Sequence, residues 1–275
     1  MAWTITDDLD TFHAAADGFL RADPVANTVP LTVIDALRAQ GPGDVLFGWW
    51  TDGGPPAGAV LWTRGYPPML SAMPERAARD LADALAGRGA DLPGVNGTLA
   101  DAEAFAKAWT AATGTASSLS MEQRLYRLDR LIVPDPPPEG APRVAAASDR
   151  EVALRWYGAF ARSGPGHGPV DAAALDRRIA EGRLMLWEVG GRPVAMAGRT
   201  PIIAGMARIA PVYTPPENRR RGYAAAVTAA VTREAREAGA EHVVLFTDLA
   251  NPTSNGVYRR LGYRKVEDRV VLDFT

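Results

Sequence analysis

Short apolar runs and four-residue apolar spacings alternate along the second half of the chain, the pattern of strands exchanging with amphipathic helices. Ser148 followed by Glu151 reads as a capping box opening a helix through about Phe160. Ser163 to Pro169 is rich in Gly and Pro and reads as a loop, and Asp171 starts a second helix to about Glu181. Leu184–Val189 and Val194–Gly198 flank a Gly190-Gly191 turn, which predicts a β-hairpin. Ala207–Thr214 is a further strand, ended by Pro215-Pro216. Tyr223, Val227, Val231 and Ala235 predict a helix over 223–238, stopped by Gly239. A strand at His242–Thr247, a short helix at Ser254–Leu261 stopped by Gly262, and a strand at Val266–Phe274 complete an α/β order.

The first half echoes this order loosely. Helices are expected at Thr32–Gln40, Pro74–Ala86 and Asp101–Thr113, and strands at Val45–Trp50, Ala59–Thr63 and Leu119–Leu131. Between the halves, Val133 to Pro142 holds five prolines, which exclude a helix interior or a central strand and favour an extended linker. Duplication of one domain and convergent α/β patterning both account for the echo. Trp49, Trp50 and Trp62 fall on expected strands, either lining a pocket or filling a core.

Composition narrows the function classes. A 275-residue chain that is 47% hydrophobic and 23% charged has material for two globular cores. A formal charge of −2 argues against wholesale binding of nucleic acid or anionic membrane. The absence of cysteine removes disulfides, thiolate metal sites and cysteine nucleophiles. The start lacks a signal-peptide pattern and no apolar run approaches the roughly 20 residues of a membrane helix, so a cytoplasmic protein, monomer or homodimer, is expected. His13 and His242 have no partners at metal spacing, and no metal is expected.

The most informative stretch is Arg219-Arg220-Arg221-Gly222-Tyr223-Ala224, where a strand and turn lead into a helix. A helix start presents unpaired N–H groups and partial positive charge, which suits a pyrophosphate. Gly222 and Ala224 keep bulk away from the backbone, and the arginines add bidentate donors. A solvated basic helix start is the plain alternative, but three cations there oppose the helix dipole unless an anion joins them. Neither a Walker loop nor a dinucleotide-binding glycine fingerprint is present.

The loop resembles the pyrophosphate loop of the GNAT superfamily of N-acetyltransferases, Gln/Arg-x-x-Gly-x-Gly/Ala. Downstream, Asn251, Ser254, Tyr258, Gly262 and Tyr263 resemble the family's N-x-x-(S/A)-x-x-x-Y-x-x-x-G-F segment, with Tyr263 at the position where Phe is common. The resemblance covers residues 184–275 by motif and 143–183 by layout. It implies an α/β (α+β) fold of two GNAT-like domains, each a mixed, mostly antiparallel twisted sheet flanked by helices. The domains would be a degenerate copy at 1–133, a Pro-rich linker at 134–142 and the acetyltransferase domain at 143–275. No counterpart of the arginine loop precedes Pro74-Glu75 in the first half.

The resemblance further implies acetyl-CoA as acyl donor and a small-molecule amine acceptor. The pantetheine arm would lie along Val212, Tyr213 and Thr214 at a strand end splayed from its neighbour. Arg219, Arg220, Arg221, Gly222, Tyr223 and Ala224 would hold the pyrophosphate. Asn251 and Asn255 would contact the donor, Tyr258 would protonate the leaving thiolate, and backbone N–H groups at Val212 or Tyr213 would polarise the thioester. No carboxylate lies on the strand Ala207–Val212, where the family often places its base. Arg208 sits there instead: it favours a carboxylate-bearing acceptor if it faces the acceptor site, and is surface charge if it faces away. Glu188, Asp248 and His167 are the remaining candidate bases, with water as another. A non-catalytic acyl-CoA-binding regulatory module, and acetylation of a protein N-terminus or lysine, are the alternative functions.

Overall fold

The computed structural model describes residues 2–41, 43–162 and 171–275. In the first half run β1 (Ala2–Thr6), α1 (Leu9–Ala22), α2 (Thr28–Gln40), β2 (Val45–Thr51), β3 (Gly58–Thr63), β4 (Met69–Leu70), α3 (Glu75–Ala86), β5 (Gly94–Thr98), α4 (Leu99–Thr113) and β6 (Ser117–Leu128). The second half runs β7 (Ala141–Val144), α5 (Arg150–Ala161), α6 (Ala172–Ala180), β8 (Leu184–Val189), β9 (Arg192–Arg199), β10 (Met206–Tyr213), α7 (Tyr223–Glu237), β11 (His242–Asp248), α8 (Pro252–Arg260) and β12 (Tyr263–Phe274).

The chain forms two compact units that do not follow its halves. One holds residues 1–125, 248–250 and 266–275, and the other 126–247 and 251–265. The reason lies in strand pairing. The outer part of β12 pairs antiparallel with β5, Arg269 opposite Thr98 through Asp273 opposite Gly94. Val270 and Leu272 thereby enter the first unit's core beside Leu70, Leu81, Val95, Phe105 and Trp109.

Within the first unit β1, β2, β3 and β4 pair antiparallel in sequence, and β4 meets β5 in parallel at Met69 and Asn96. Trp50 and Trp62 are buried core residues, and Trp49 packs near Phe12. The helix α1 follows from Phe12, Ala16 and Leu20, one apolar face at spacing four, and from Asp8, whose carboxylate accepts the Thr11 N–H at 2.6 Å.

In the second unit β7, β8, β9 and β10 form an antiparallel run, and β10 then pairs in parallel with β11. One face carries α7 and α8 over Ala207, Ile209, Val243 and Leu245. The other carries α5 and α6, with Ala153, Leu175 and Ile179 against Leu184, Leu186 and Met196. Two expectations change here. Ala141 and Pro142 begin strand β7, opposite Glu188 and Trp187, so the proline-rich connection ends at Gly140. Proline is tolerated because β7 pairs with β8 at the end of the strand order. The connection itself is anchored, since the Trp187 indole donates to the Glu139 carbonyl at 2.8 Å. Nor does Ser148 cap α5: a short 3₁₀ turn over Ala147–Asp149 precedes it, and the Asp149 carboxylate accepts the Ala146 N–H instead. Among the described residues no helix is long and apolar enough to cross a membrane.

Candidate active site

Strand β10 changes partners along its length. It pairs with β11 from Met206 to Arg208, and its register against β9 shifts between Ile209 and Val212. Among the described residues the parallel pairing goes no further, although β11 continues to Asp248. Val212 and Tyr213 at the end of β10, with Thr214 just beyond it, therefore lie where the β10–β11 pairing has opened. An unpaired strand edge is a template for an extended ligand bearing amides.

The arginine loop follows. Residues 216–218 form a 3₁₀ turn, and the Arg219 guanidinium Nε donates to the Thr214 carbonyl at 3.1 Å. Arg220 has a left-handed backbone, φ +63°, and Gly222 follows at φ +83° as the residue preceding α7. The glycine is there for its backbone: an added Cβ would meet only Pro138, at an ordinary 3.7 Å. No side chain caps α7, and its first intrahelical bond runs from Ala226 N–H to Gly222 C=O at 3.1 Å. The N–H groups of Tyr223, Ala224 and Ala225 thus face outward at the positive end of the helix dipole. Arg220 and Arg221 are exposed beside them, without a hydrogen bond or ion pair among the described residues. Tyr223 contributes only its backbone here, because its ring is buried in the core.

Helix α8 carries the downstream motif. It begins at Pro252, two residues earlier than expected, because Asn251 caps it: the amide oxygen accepts the Ser254 N–H at 3.0 Å. Asn255, 7% exposed, donates to the Asn251 carbonyl at 2.8 Å and accepts from the Tyr126 hydroxyl at 3.1 Å. Both asparagine side chains are therefore engaged in anchoring α8. Tyr126 has no local sequence signature and enters only through the fold. Tyr258, one turn further on, is 8% exposed and packs edge-on to Tyr263 at 6.2 Å. Burial pushes its phenol up to about 12. Tyr263 departs from phenylalanine because its hydroxyl reaches Thr232 at 2.6 Å.

The opposite face of β10 is cationic. Arg208 and Ala210 alternate away from the α7 core toward α5 and α6. Burial lowers the Arg208 pKa to about 10, so this residue is not ordinary surface charge. Sequence reasoning passed over Arg178 on α6, although three-residue spacing from Leu175 puts it on the same helix face as Leu175 and Ile179. Its Nη1 donates to the Ala210 carbonyl at 2.9 Å, and its guanidinium lies 5.5 Å from the Tyr157 ring centre. Gly198 makes room for it, since a Cβ there would lie 3.2 Å from that same Nη1. Burial first, then the charges of Arg183 and Arg208, push the Arg178 pKa down. Trp156 and Tyr213 pack beside it, 6.2 Å between ring centres. Of the candidate bases, Glu188 is paired with Arg143, and Asp248 accepts the Ala250 N–H at 2.7 Å. His167 lies outside the described residues.

Residues 151–263 match the model of the acetyltransferase (GNAT) family, a span that takes in β10, the arginine loop and α8. They are a GNAT acetyltransferase domain. GNAT enzymes take acetyl-CoA as a substrate and act on amine acceptors. Solved GNAT-fold structures cover the whole chain. A Drosophila protein shares 17% identity, with a TM-score of 0.68 over 99% of this chain and 98% of that one. A GCN5-related N-acetyltransferase from Sphaerobacter thermophilus shares 17%, with a TM-score of 0.64 over 98% and 94%. A GNAT acetyltransferase from Colwellia psychrerythraea shares 13%, with a TM-score of 0.61 over 100% and 99%. No curated protein matches the sequence. At these identities the likeness establishes the fold, and within the GNAT domain the chemistry must be argued from the residues themselves.

Proposed function

We infer that the chain is an acetyl-CoA-dependent N-acetyltransferase acting on the amine of a small molecule or amino acid. The observation that carries this is the uncapped start of α7, with Gly222 left-handed and Arg220 and Arg221 exposed, next to the opening at the end of β10. The helix start and arginines supply charge and donors for a pyrophosphate, and the strand end supplies backbone partners for a pantetheine arm. In the transfer, the amine nitrogen bonds to the thioester carbon and loses its proton to water, while the carbon–sulfur bond breaks. Backbone N–H groups at Val212 or Tyr213 polarise the carbonyl. Tyr258, held neutral by burial, gives its proton to the departing thiolate and regains one from solvent. Residues 1–133 we take to be a degenerate copy, because α3 opens on Pro74 and Glu75 and offers no cationic loop.

Calorimetric titration of coenzyme A tests the donor site. Replacing Arg220 and Arg221 by Ala removes two exposed charge-assisted contacts, together about 2–3 kcal/mol, and weakens binding roughly 30- to 150-fold. Unchanged affinity overturns the loop assignment. The second reading, a binding module without turnover, draws on the commitment of Glu188 to Arg143 and the absence of a carboxylate on β10. Release of free thiol from acetyl-CoA in the presence of an amine separates the two.

A further inference from the structure

Two buried arginines of the second unit have carboxylate partners. Arg183 is paired with Glu181 and Arg199 with Glu234, each at 2.6 Å. Arg178 has no carboxylate partner among the described residues; its contacts are the neutral Ala210 carbonyl and the Tyr157 ring. The segment 163–170, Ser-Gly-Pro-Gly-His-Gly-Pro-Val, contains no acid to supply one. Arg208 adds a second positive charge on the same face of β10, and it is felt at Arg178. A desolvated guanidinium without a counter-charge is strongly unfavourable, and a second cation nearby worsens it.

Hydrogen bonding at Arg178 and its neighbour Tyr157 is incomplete as well. The Arg178 Nε and the Tyr157 hydroxyl are buried without a hydrogen-bond partner among the described residues. Buried polar atoms are ordinarily satisfied, so two donors on residues in mutual contact call for a ligand. A carboxylate, with two oxygens and about four acceptor positions, matches a set composed of N–H and O–H donors. The Ala210 carbonyl that Arg178 holds lies two residues before Val212 on β10, so an anion held there keeps a neighbouring amine near the end of that strand.

Resting on the acetyltransferase reading, we propose that Arg178 and Arg208, with Tyr157, bind the carboxylate of the acceptor, and that the acceptor is an amino acid or another compact amine bearing a carboxylate. Gly198 leaves room for the Arg178 guanidinium, and the Tyr157 ring lies beside it.

The test uses the full chain with acetyl-CoA, free thiol as readout, and the twenty amino acids against their carboxamides. The expected result is that at least one acid is turned over with kcat/KM about 100-fold above its amide, the effect of losing two charged contacts. Arg178→Met then raises KM for that acid about 100-fold and removes most of the preference for the acid over its amide, while the coenzyme A affinity stays within twofold. Equal rates on acid and amide overturn the proposal, as does coenzyme A binding without turnover of any acid above its amide. Because Arg178 also holds the Ala210 carbonyl, a variant that fails to fold is replaced by Arg208→Met and by competition in the wild type. Simple aliphatic carboxylates should compete with the acceptor and not with acetyl-CoA; no competition overturns the assignment. Loss of coenzyme A binding in the wild type would instead remove the acetyltransferase reading itself.

Discussion

Gly262 ends the helix that carries Tyr258, and replacing it by Ala tests why a glycine stands in that motif. Its backbone is left-handed, φ +94°, which costs an L-residue about 1–2 kcal/mol. An added Cβ would also fall inside the contact radius of the Arg130 carbonyl oxygen and 3.0 Å from its carbon. That backbone is held in place by Asp129 N–H to Gly262 C=O at 3.1 Å and Ile132 N–H to Leu261 C=O at 2.9 Å. Moving it away sacrifices both bonds, about 1–3 kcal/mol in total, so Gly262→Ala loses roughly 2–5 kcal/mol. Gly239 is the matched control: its φ is +98° and nothing lies within 4 Å of an added Cβ, so Gly239→Ala should lose only the conformational 1–2 kcal/mol. Urea unfolding followed by tryptophan fluorescence measures both variants, and hydrogen exchange at residues 129–132 locates the damage. Equal losses at the two glycines, or unchanged exchange at 129–132, would refute the close-approach argument.

Three further expectations concern the same unit. Tyr258→Phe should lower kcat by about 100-fold or more, in the range of general-acid contributions, with coenzyme A affinity within twofold; unchanged turnover removes the phenol from the mechanism. The raised Tyr258 pKa means that the unfolded chain ionises first, so stability is intact below pH 10 and falls by about 2–3 kcal/mol as pH rises to about 12. Tyr258→Phe should flatten that decline in alkaline denaturation curves, and an identical decline in the variant would contradict it. Glu234→Gln leaves Arg199, 8% exposed, without its bidentate partner and should cost about 3 kcal/mol in thermal unfolding, whereas less than 1 kcal/mol would mean that the pair contributes little.

How much was legible in advance varied with how local the cause was. The α7 helix, the β8–β9 hairpin and the arginine loop were readable because periodicity, a Gly-Gly turn and a charge run are contiguous in sequence. Helix α1 was equally local, with Phe12, Ala16 and Leu20 at spacing four, but the surrounding alanines and acids obscured it. Strand β5, Gly-Val-Asn-Gly-Thr, has no apolar alternation, and Gly94 is required because the Leu272 carbonyl passes where a Cβ would stand. In the site, the positions of Arg220, Arg221 and Tyr258 follow from motif spacing. The Arg178–Ala210 contact and the Tyr126–Asn255 bond cross 32 and 129 residues, and no local pattern encodes them.

The proline-rich stretch looks in sequence like a seam along which the acetyltransferase module could be lifted out. Chain order and modular order differ here. A transplanted piece beginning at residue 143 would leave behind the Tyr126 hydroxyl that steadies Asn255 and the Glu139 carbonyl that the Trp187 indole holds. It would also carry the outer part of β12, whose pairing partner is β5. Domain exchange within this architecture therefore has to be planned by strand partnership, with residue 126 as the upstream limit of the module.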